Sequence, residues 1–171
     1  MDYQEIFQAH YESPLGWLTL SADLLGICRL SFGKNGTPRG VSTHIERAKL
    51  DLDCYFSGEK IRFLIPLNLK GTPFQKAVWK ALAEIPYGAF PSYSDIAASI
   101  GKPSAARAVG MAINANPVPI ILPCHRVIGK DGSLTGYSAG LDIKRSLLRL
   151  ELNQQEVFIT KSTVSHISLH A

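Results

Sequence analysis

Little in this sequence speaks for a membrane or an oxidising compartment. No apolar stretch approaches the ~20 residues of a membrane-spanning helix. The N-terminus Met1-Asp2-Tyr3-Gln4-Glu5 lacks the basic and apolar regions of a signal peptide. Cys28, Cys54 and Cys124 are too few and too scattered for a disulfide framework. These absences predict a reducing, cytoplasmic location, which suits a chain that depends on a free thiol. Internal repeats and low-complexity tracts are also absent.

What is present is apolar enough for a real core: 46% of the 171 residues are hydrophobic. That length is long for one domain and short for two, so a small N-terminal domain with a larger partner fits. A net charge of +4 is compatible with a polyanionic partner without establishing one. Ile6–Tyr11, Trp17–Ser21 and Gly26–Phe32 read as short strands, with turn chemistry at Ser13-Pro14-Leu15-Gly16. Ser42–Ser57 carries Ile45, Ala48, Leu52, Tyr55 and Phe56 at helical spacing. Ile61–Leu69 reads as another strand, interrupted by Pro66. The predicted boundaries are 1–70 for the N-terminal domain, 71–153 for the second domain, and 154–171 for a polar tail that either adds a strand or frays.

From Thr72 the pattern becomes helical. Thr72, Pro73 and Gln75 supply an N-cap, a first-turn proline and a capping box. Phe74, Ala77, Val78, Ala81, Leu82 and Ile85 form the expected apolar stripe. Two short helices follow, about 94–100 and 104–114, the second capped by Ser104. A Gly-containing turn between them makes a helix-turn-helix candidate, although any αα-hairpin gives the same pattern. The second helix offers one arginine on a surface of alanines and a glycine. Over 105–113 it has no Asn, Gln or Lys to read base edges, so it either approaches DNA closely without much sequence readout or simply packs against another helix. A last helix, Leu141–Leu152, is expected to point Lys144, Arg145 and Arg149 outward, with Glu151 in its final turn.

The densest chemistry lies in Pro123-Cys124-His125-Arg126-Val127. A free cysteine is only a few per cent thiolate at neutral pH and needs a base or a positive environment to become a good nucleophile. Neighbouring side chains on a strand point to opposite faces, so Cys124 and His125 cooperate only if the chain bends, and Pro123 allows a bend. A buried structural thiol is the alternative.

Taken together, this motif, Asn116-Pro117-Val118-Pro119 before it, Arg107-Ala108-Val109-Gly110, Ser92-Tyr93, Tyr137-Ser138 and Glu151 resemble the O6-alkylguanine-DNA alkyltransferases. The resemblance is specific over 72–151 and weaker in the N-terminal third. It implies an α/β N-terminal domain, a small antiparallel sheet with a helix (RNase H-like), followed by a mainly α domain with a winged-helix-like helix-turn-helix. It implies direct-reversal repair: a single-turnover methyltransferase moving an alkyl group from guanine O6 to Cys124. His125 would be the base, Glu151 its orienter, and Asn116 the residue that ties the Cys124 turn. Tyr93, Tyr137 and Ser138 would handle the flipped base, and the Cys124 and Val127 carbonyls would read its exocyclic amine. Arg107 would fill the vacated stack, while Ser94, Ala105, Ala106, Ala108 and Gly110 would meet the minor groove and its phosphates. The implied partner is double-stranded DNA containing O6-alkylguanine, bound by a monomer with no membrane and no cofactor.

Some relatives hold an N-terminal zinc, but Cys28, Cys54, His10 and His44 show no paired ligand spacing, so no metal is expected. Cys28 and Cys54 read as core thiols, and His166 and His170 as incidental tail residues. Cys at position 124 separates this chain from alkyltransferase-like lesion binders, which typically have Trp there. A transcription regulator would show base readers on the second helix and a dimer interface. A cysteine hydrolase would need an acyl-substrate pocket. None of these is evident.

Overall fold

Period-two alternation in the N-terminal segment produces a three-stranded antiparallel sheet: β1 (Phe7–Ser13), β2 (Gly16–Ala22) and β3 (Ile27–Phe32), in that order. Ser13 closes the β1–β2 turn, its hydroxyl donating to the Gly16 carbonyl and accepting from the Leu15 amide. Tyr11 stands opposite Leu18 on one face and reaches the helix α1 (Thr43–Phe56), bonding Asp53 at 2.7 Å and stacking on Phe56. Leu18, Leu20 and Ala22 therefore share the helix-covered face and are fully buried with Ile45, Ala48, Leu52 and Tyr55.

The computed structural model describes residues 5–153 and divides the chain into two compact units. One comprises the residues up to Lys70 together with Pro117–Pro119. The other comprises Gly71–Asn116 and the residues from Ile120 onward. The predicted tail, 154–171, with His166 and His170, lies outside the described residues.

The strand expected at 61–69 does not form. Pro66 has no N–H to donate, and pairing is confined to a parallel bridge between Ile27 and Leu67. There the Ile27 amide donates to the Pro66 carbonyl and the Asn68 amide to the Ile27 carbonyl, both at 2.9 Å. The approach is close enough that a Cβ on Gly26 would lie 2.4 Å from the Pro66 oxygen. Cys28 and Cys54, expected in the core, are only half-buried.

In the second unit, α2 (Pro73–Ala83) begins with the full capping box: Gln75 N–H on the Thr72 hydroxyl and the Gln75 side chain on the Thr72 N–H. Its buried face is Val78, Trp79 and Leu82, whereas Ala77 is exposed. The predicted stripe missed Trp79, whose indole N–H donates to the Ala112 carbonyl at 2.9 Å. α3 (Tyr93–Ser99) starts one residue earlier than expected because Ser92, in a capping box with Asp95, is the cap. It ends in a Schellman arrangement, Gly101 N–H to Ala98 and Lys102 N–H to Ala97, with Gly101 left-handed at φ +71°. α4 (Ala106–Asn114) begins later than expected and Ser104 does not cap it; Ala105 occupies the N-cap without a side-chain bond. A short 3-10 turn, η1 (Cys124–Arg126), and α5 (Leu141–Asn153) complete the described chain.

The capping box is the most exposed determinant of α2. Thr72→Ala is expected to destabilise the second unit by about 1 kcal/mol and Thr72→Ser to be nearly neutral. Urea unfolding of the two variants measures this, and a Thr72→Ala midpoint equal to wild type would mean the cap is idle.

Candidate active site

Cys124 sits where the chain reverses direction. Pro123 adopts φ −78°, ψ 62°, the centre of an inverse γ-turn, and the Cys124 amide donates to the Leu122 carbonyl at 2.7 Å. The Asn116 side-chain amide donates to the same carbonyl at 2.9 Å. Ahead of it, Ile120 is held left-handed at φ +74°, a strained conformation for a β-branched residue, with its side chain buried. The 3-10 turn then swings His125 away, and Ile128 leaves as a parallel bridge to Ser92.

The Cys124 side chain is 3% exposed and His125 and Glu151 are fully buried. His125 Nε2 lies 2.7 Å from Glu151 Oε1. Glu151 also accepts from Arg126 Nε and Nη2 at 3.0–3.1 Å and from the Gly88 amide at 3.0 Å. Burial alone would raise this carboxyl, but the charge and hydrogen bonds of His125 and Arg126 hold it down at about 2. Burial pushes the His125 imidazole below its ordinary value, with Arg126 and Lys144 adding to that effect against the pull of Glu151. His125 is thus neutral at pH 7. With Nε2–H given to the carboxylate, Nδ1 carries the lone pair that can take a proton.

Burial raises the Cys124 thiol, and Asn116, Lys144 and Tyr137 pull the other way without offsetting it. Tyr137 is buried on the Gly136–Gly140 loop, and its hydroxyl is pushed well above the ordinary range by burial and by Cys124. Tyr93 is half-buried and donates from its hydroxyl to the Thr135 carbonyl at 2.8 Å. Ser138 is exposed on the same loop as Tyr137, and Ser94 is half-buried in the first turn of α3. The Val127 carbonyl, expected to read an amine, already accepts from Lys144 Nζ at 2.7 Å, and the Cys124 carbonyl accepts the Val127 amide at 3.3 Å.

On α4, Val109, Ala112 and Ile113 are buried while Arg107 and Ala108 are exposed and Ala105 and Ala106 are half-buried. Packing therefore accounts for Ala112 and not for Ala108. A Cβ on Gly110 would lie 3.7 Å from the Tyr93 ring, so the small residue lets α4 sit against Tyr93. Met111, 72% exposed, stands one turn after Arg107 and was not singled out in the sequence. A groove of about 900 Å³ between α2 and α3, lined by Ala77, Ala81, Ile85, Phe90, Ile96 and Ile100, contains none of the predicted site residues.

Two further residues were missed. Arg126 stands inside the motif, and its Nη1 also donates to the Ile85 carbonyl. Lys144, expected outward, is fully buried. The signal was there: Lys144, Leu147, Leu148 and Glu151 recur at i, i+3, i+4 and i+7, one face of a helix.

The site thus sets a buried thiol and a carboxylate-bound imidazole in the same unit as a helix pair whose second helix carries one exposed arginine. Residues 73–153 match the family model described as 6-O-methylguanine DNA methyltransferase, DNA binding domain. Residues 6–69 match the ribonuclease-like domain of the same methyltransferase. The chain is 51% identical over 149 residues to the methylated-DNA–protein-cysteine methyltransferase of Methanosarcina barkeri, covering 83% of this chain and 94% of that protein. It is 44% identical over 151 residues to the constitutive enzyme of Bacillus subtilis, covering 82% and 92%. Among solved structures, Mycobacterium tuberculosis O6-methylguanine methyltransferase aligns with TM-score 0.79 at 40% identity, covering 94% of this chain and 98% of that one. The M. tuberculosis OGT in complex with DNA aligns with TM-score 0.76 at 45% identity, covering 85% and 92%. The chain belongs to the methylated-DNA–protein-cysteine methyltransferase family, enzymes of direct-reversal DNA repair that take the alkyl group onto a cysteine of their own.

The buried pair also sets acid stability. Both His125 and Glu151 have folded-state values below their unfolded ones, so the stability they contribute is complete above the unfolded values and is lost as pH falls. Loss begins below about 6.5 as unfolded His125 protonates and deepens from about 4.5 toward 2 through Glu151. Glu151→Gln is expected to cost about 3 kcal/mol at pH 7 by leaving Arg126 uncompensated, and to flatten the lower part of the profile. Denaturant midpoints from pH 8 to 3 measure both, and an unchanged slope below pH 4.5 in Glu151→Gln would contradict the assignment.

Proposed function

We propose that Cys124 is the alkyl acceptor for O6-alkylguanine in double-stranded DNA, used once per molecule. The observation that carries this reading is a buried thiol on a turn held by Asn116, followed directly in sequence by an imidazole whose Nε2 is fixed by a carboxylate held ionised. His125 takes the thiol proton at Nδ1, through a water, and Glu151 balances the imidazolium that results. Sulfur bonds the alkyl carbon as the carbon–O6 bond breaks. The proton held by His125 is returned to the guanine, which leaves neutral while the protein keeps a thioether.

Tyr137 and Ser138 stabilise the departing oxygen and ring by donating hydrogen bonds, since guanine leaves poorly as an anion. The Cys124 and Val127 carbonyls keep a second lone pair each and can still accept from the exocyclic amine. Because Cys124 is almost fully covered, the base must be extruded from the duplex to reach it, at a cost of about a few kcal/mol. Arg107, exposed at the start of α4, fills the space left in the stack, and Tyr93 bears on the extruded nucleotide. Ala105, Ala106, Ala108 and Gly110 permit close approach to the minor groove. The amides at Ser94 and at the start of α4 meet phosphates; α4 offers no side-chain cap there to compete.

In this reading residues 71–153 form the DNA-binding and acceptor domain and 1–70 a separate α/β domain, in a monomer that needs no cofactor. A cytoplasmic location goes with it: reducing conditions keep Cys124 a thiol, and no helix among the described residues is long and apolar enough to cross a membrane.

Duplex DNA with a labelled O6-methyl group tests the proposal. Label should appear on the peptide containing Cys124 and stop at one equivalent; label elsewhere, or continued turnover, would overturn it. Arg107→Ala should slow transfer from duplex DNA at least about tenfold, equivalent to about 1.4 kcal/mol, and slow transfer from single-stranded substrate much less. Equal losses on both substrates would remove the stacking role.

A further inference from the structure

We infer that Lys144 is a positioning residue for Cys124, its buried ammonium supplying the positive charge against which the thiolate forms. The inference rests on Cys124 being the acceptor.

The placement is unusual for a lysine. Its side chain is fully buried, and Nζ donates to the Val127 carbonyl at 2.7 Å and to the Thr135 carbonyl at 3.1 Å. Both partners are neutral. A buried ammonium held only by carbonyls is costly, because its desolvation is not repaid by an opposite charge. Hydrogen bonding alone does not require the charge, since a neutral amide could serve two carbonyls equally well.

The surrounding charges show where the missing anion belongs. Arg126 is committed to Glu151 through Nε and Nη2 and to Ile85 through Nη1. His125 is bound to Glu151 as well, so the proton it takes from Cys124 is balanced by that carboxylate. From α3, Tyr93 presents its ring 5.9 Å from Nζ, and from the loop after η1 Tyr137 presents a hydroxyl that burial keeps protonated. Through its bond to Val127, Lys144 is tied next to the turn that carries Cys124, and each group acts on the other: the ammonium favours the thiolate, and the thiolate's charge favours the ammonium. Burial brings Lys144 down to about 8, so at neutral pH it is still mostly charged.

The same two bonds give the lysine a mechanical role. Val127 directly follows the η1 turn that holds Cys124, and Thr135 lies two residues before Tyr137. One ammonium therefore ties the acceptor turn to the loop whose Tyr137 and Ser138 meet the base. The thiolate's counter-charge is supplied at the joint between nucleophile and leaving-group side.

Charge and hydrogen bonding separate cleanly in three variants: Lys144→Gln keeps a donor without charge, Lys144→Met keeps neither, and Lys144→Arg keeps both. The readout is the rate at which iodoacetamide alkylates Cys124 between pH 6 and 10, followed on the Cys124 peptide by mass spectrometry so that Cys28 and Cys54 do not interfere. Without DNA, it does not depend on base recognition. Lys144→Gln is expected to move the profile up by about one pH unit, about a tenfold slower reaction below the midpoint, with Lys144→Arg near wild type. Methyl transfer from duplex DNA should slow by the same factor. If Lys144→Met does not fold, Lys144→Gln carries the comparison. A Lys144→Gln profile that overlays wild type would overturn the inference, as would Lys144→Arg behaving like Lys144→Gln. Normal iodoacetamide profiles with no methyl transfer by the wild type would instead count against Cys124 as acceptor.

Discussion

The second unit is organised around one carboxylate. Glu151 lies near the end of α5, fully buried, and gathers His125, Arg126 and the Gly88 amide onto two oxygens. Through those bonds the last helix, the turn after Pro123 and the segment after α2 share one anchor. An unpaired carboxylate there would be prohibitively costly to bury, so the surrounding donors must all be in place together. That requirement explains why a histidine adjacent in sequence to Cys124 can be held in place. Its ring is fixed from the far side by a group 26 residues away.

Cys124 is positioned by the backbone around it. The Leu122 carbonyl accepts both the Cys124 amide and the Asn116 side chain, which locks the inverse γ-turn from two directions. Ile120 stores strain in a left-handed conformation that a glycine would adopt freely. A large buried side chain is retained there because its burial holds the segment down while the backbone turns. Strain of this kind persists only where the surroundings over-determine the conformation, and here apolar burial and the Asn116 bond do so.

Much of this was legible. Alternation and turn chemistry located the three strands, the α2 cap was written in Thr72, Pro73 and Gln75, and the family resemblance carried by the Cys-His motif, Asn116 and Glu151 implied the bonds that Asn116 and Glu151 make. What was not legible depended on tertiary context. Ile61–Leu69 has strand-like residues, but Pro66 cannot extend a ladder and the segment pairs only once. Ser104 looks like a cap, yet the chain enters α4 at Ala105. Lys144 was set outside because lysines usually are, although its spacing from Glu151 placed both on one helical face. Arg126 was hidden by standing next to a more conspicuous histidine. For Lys144, residue type outweighed periodicity, and periodicity was the better guide.

The chain has only two tryptophans, and they fall one in each unit. Trp17 lies on β2 beneath the Lys34 ammonium, 3.6 Å from the ring centroid, with part of its surface in solvent. Trp79 is buried on α2, its N–H held by the carbonyl of Ala112 on the helix that carries Arg107. Intrinsic fluorescence from this protein is therefore already a two-channel signal, with a wet, cation-capped emitter in the sheet and a dry, hydrogen-bonded one behind α4. Replacing Trp17 with phenylalanine leaves a single built-in reporter wired to that helix, with no dye attached.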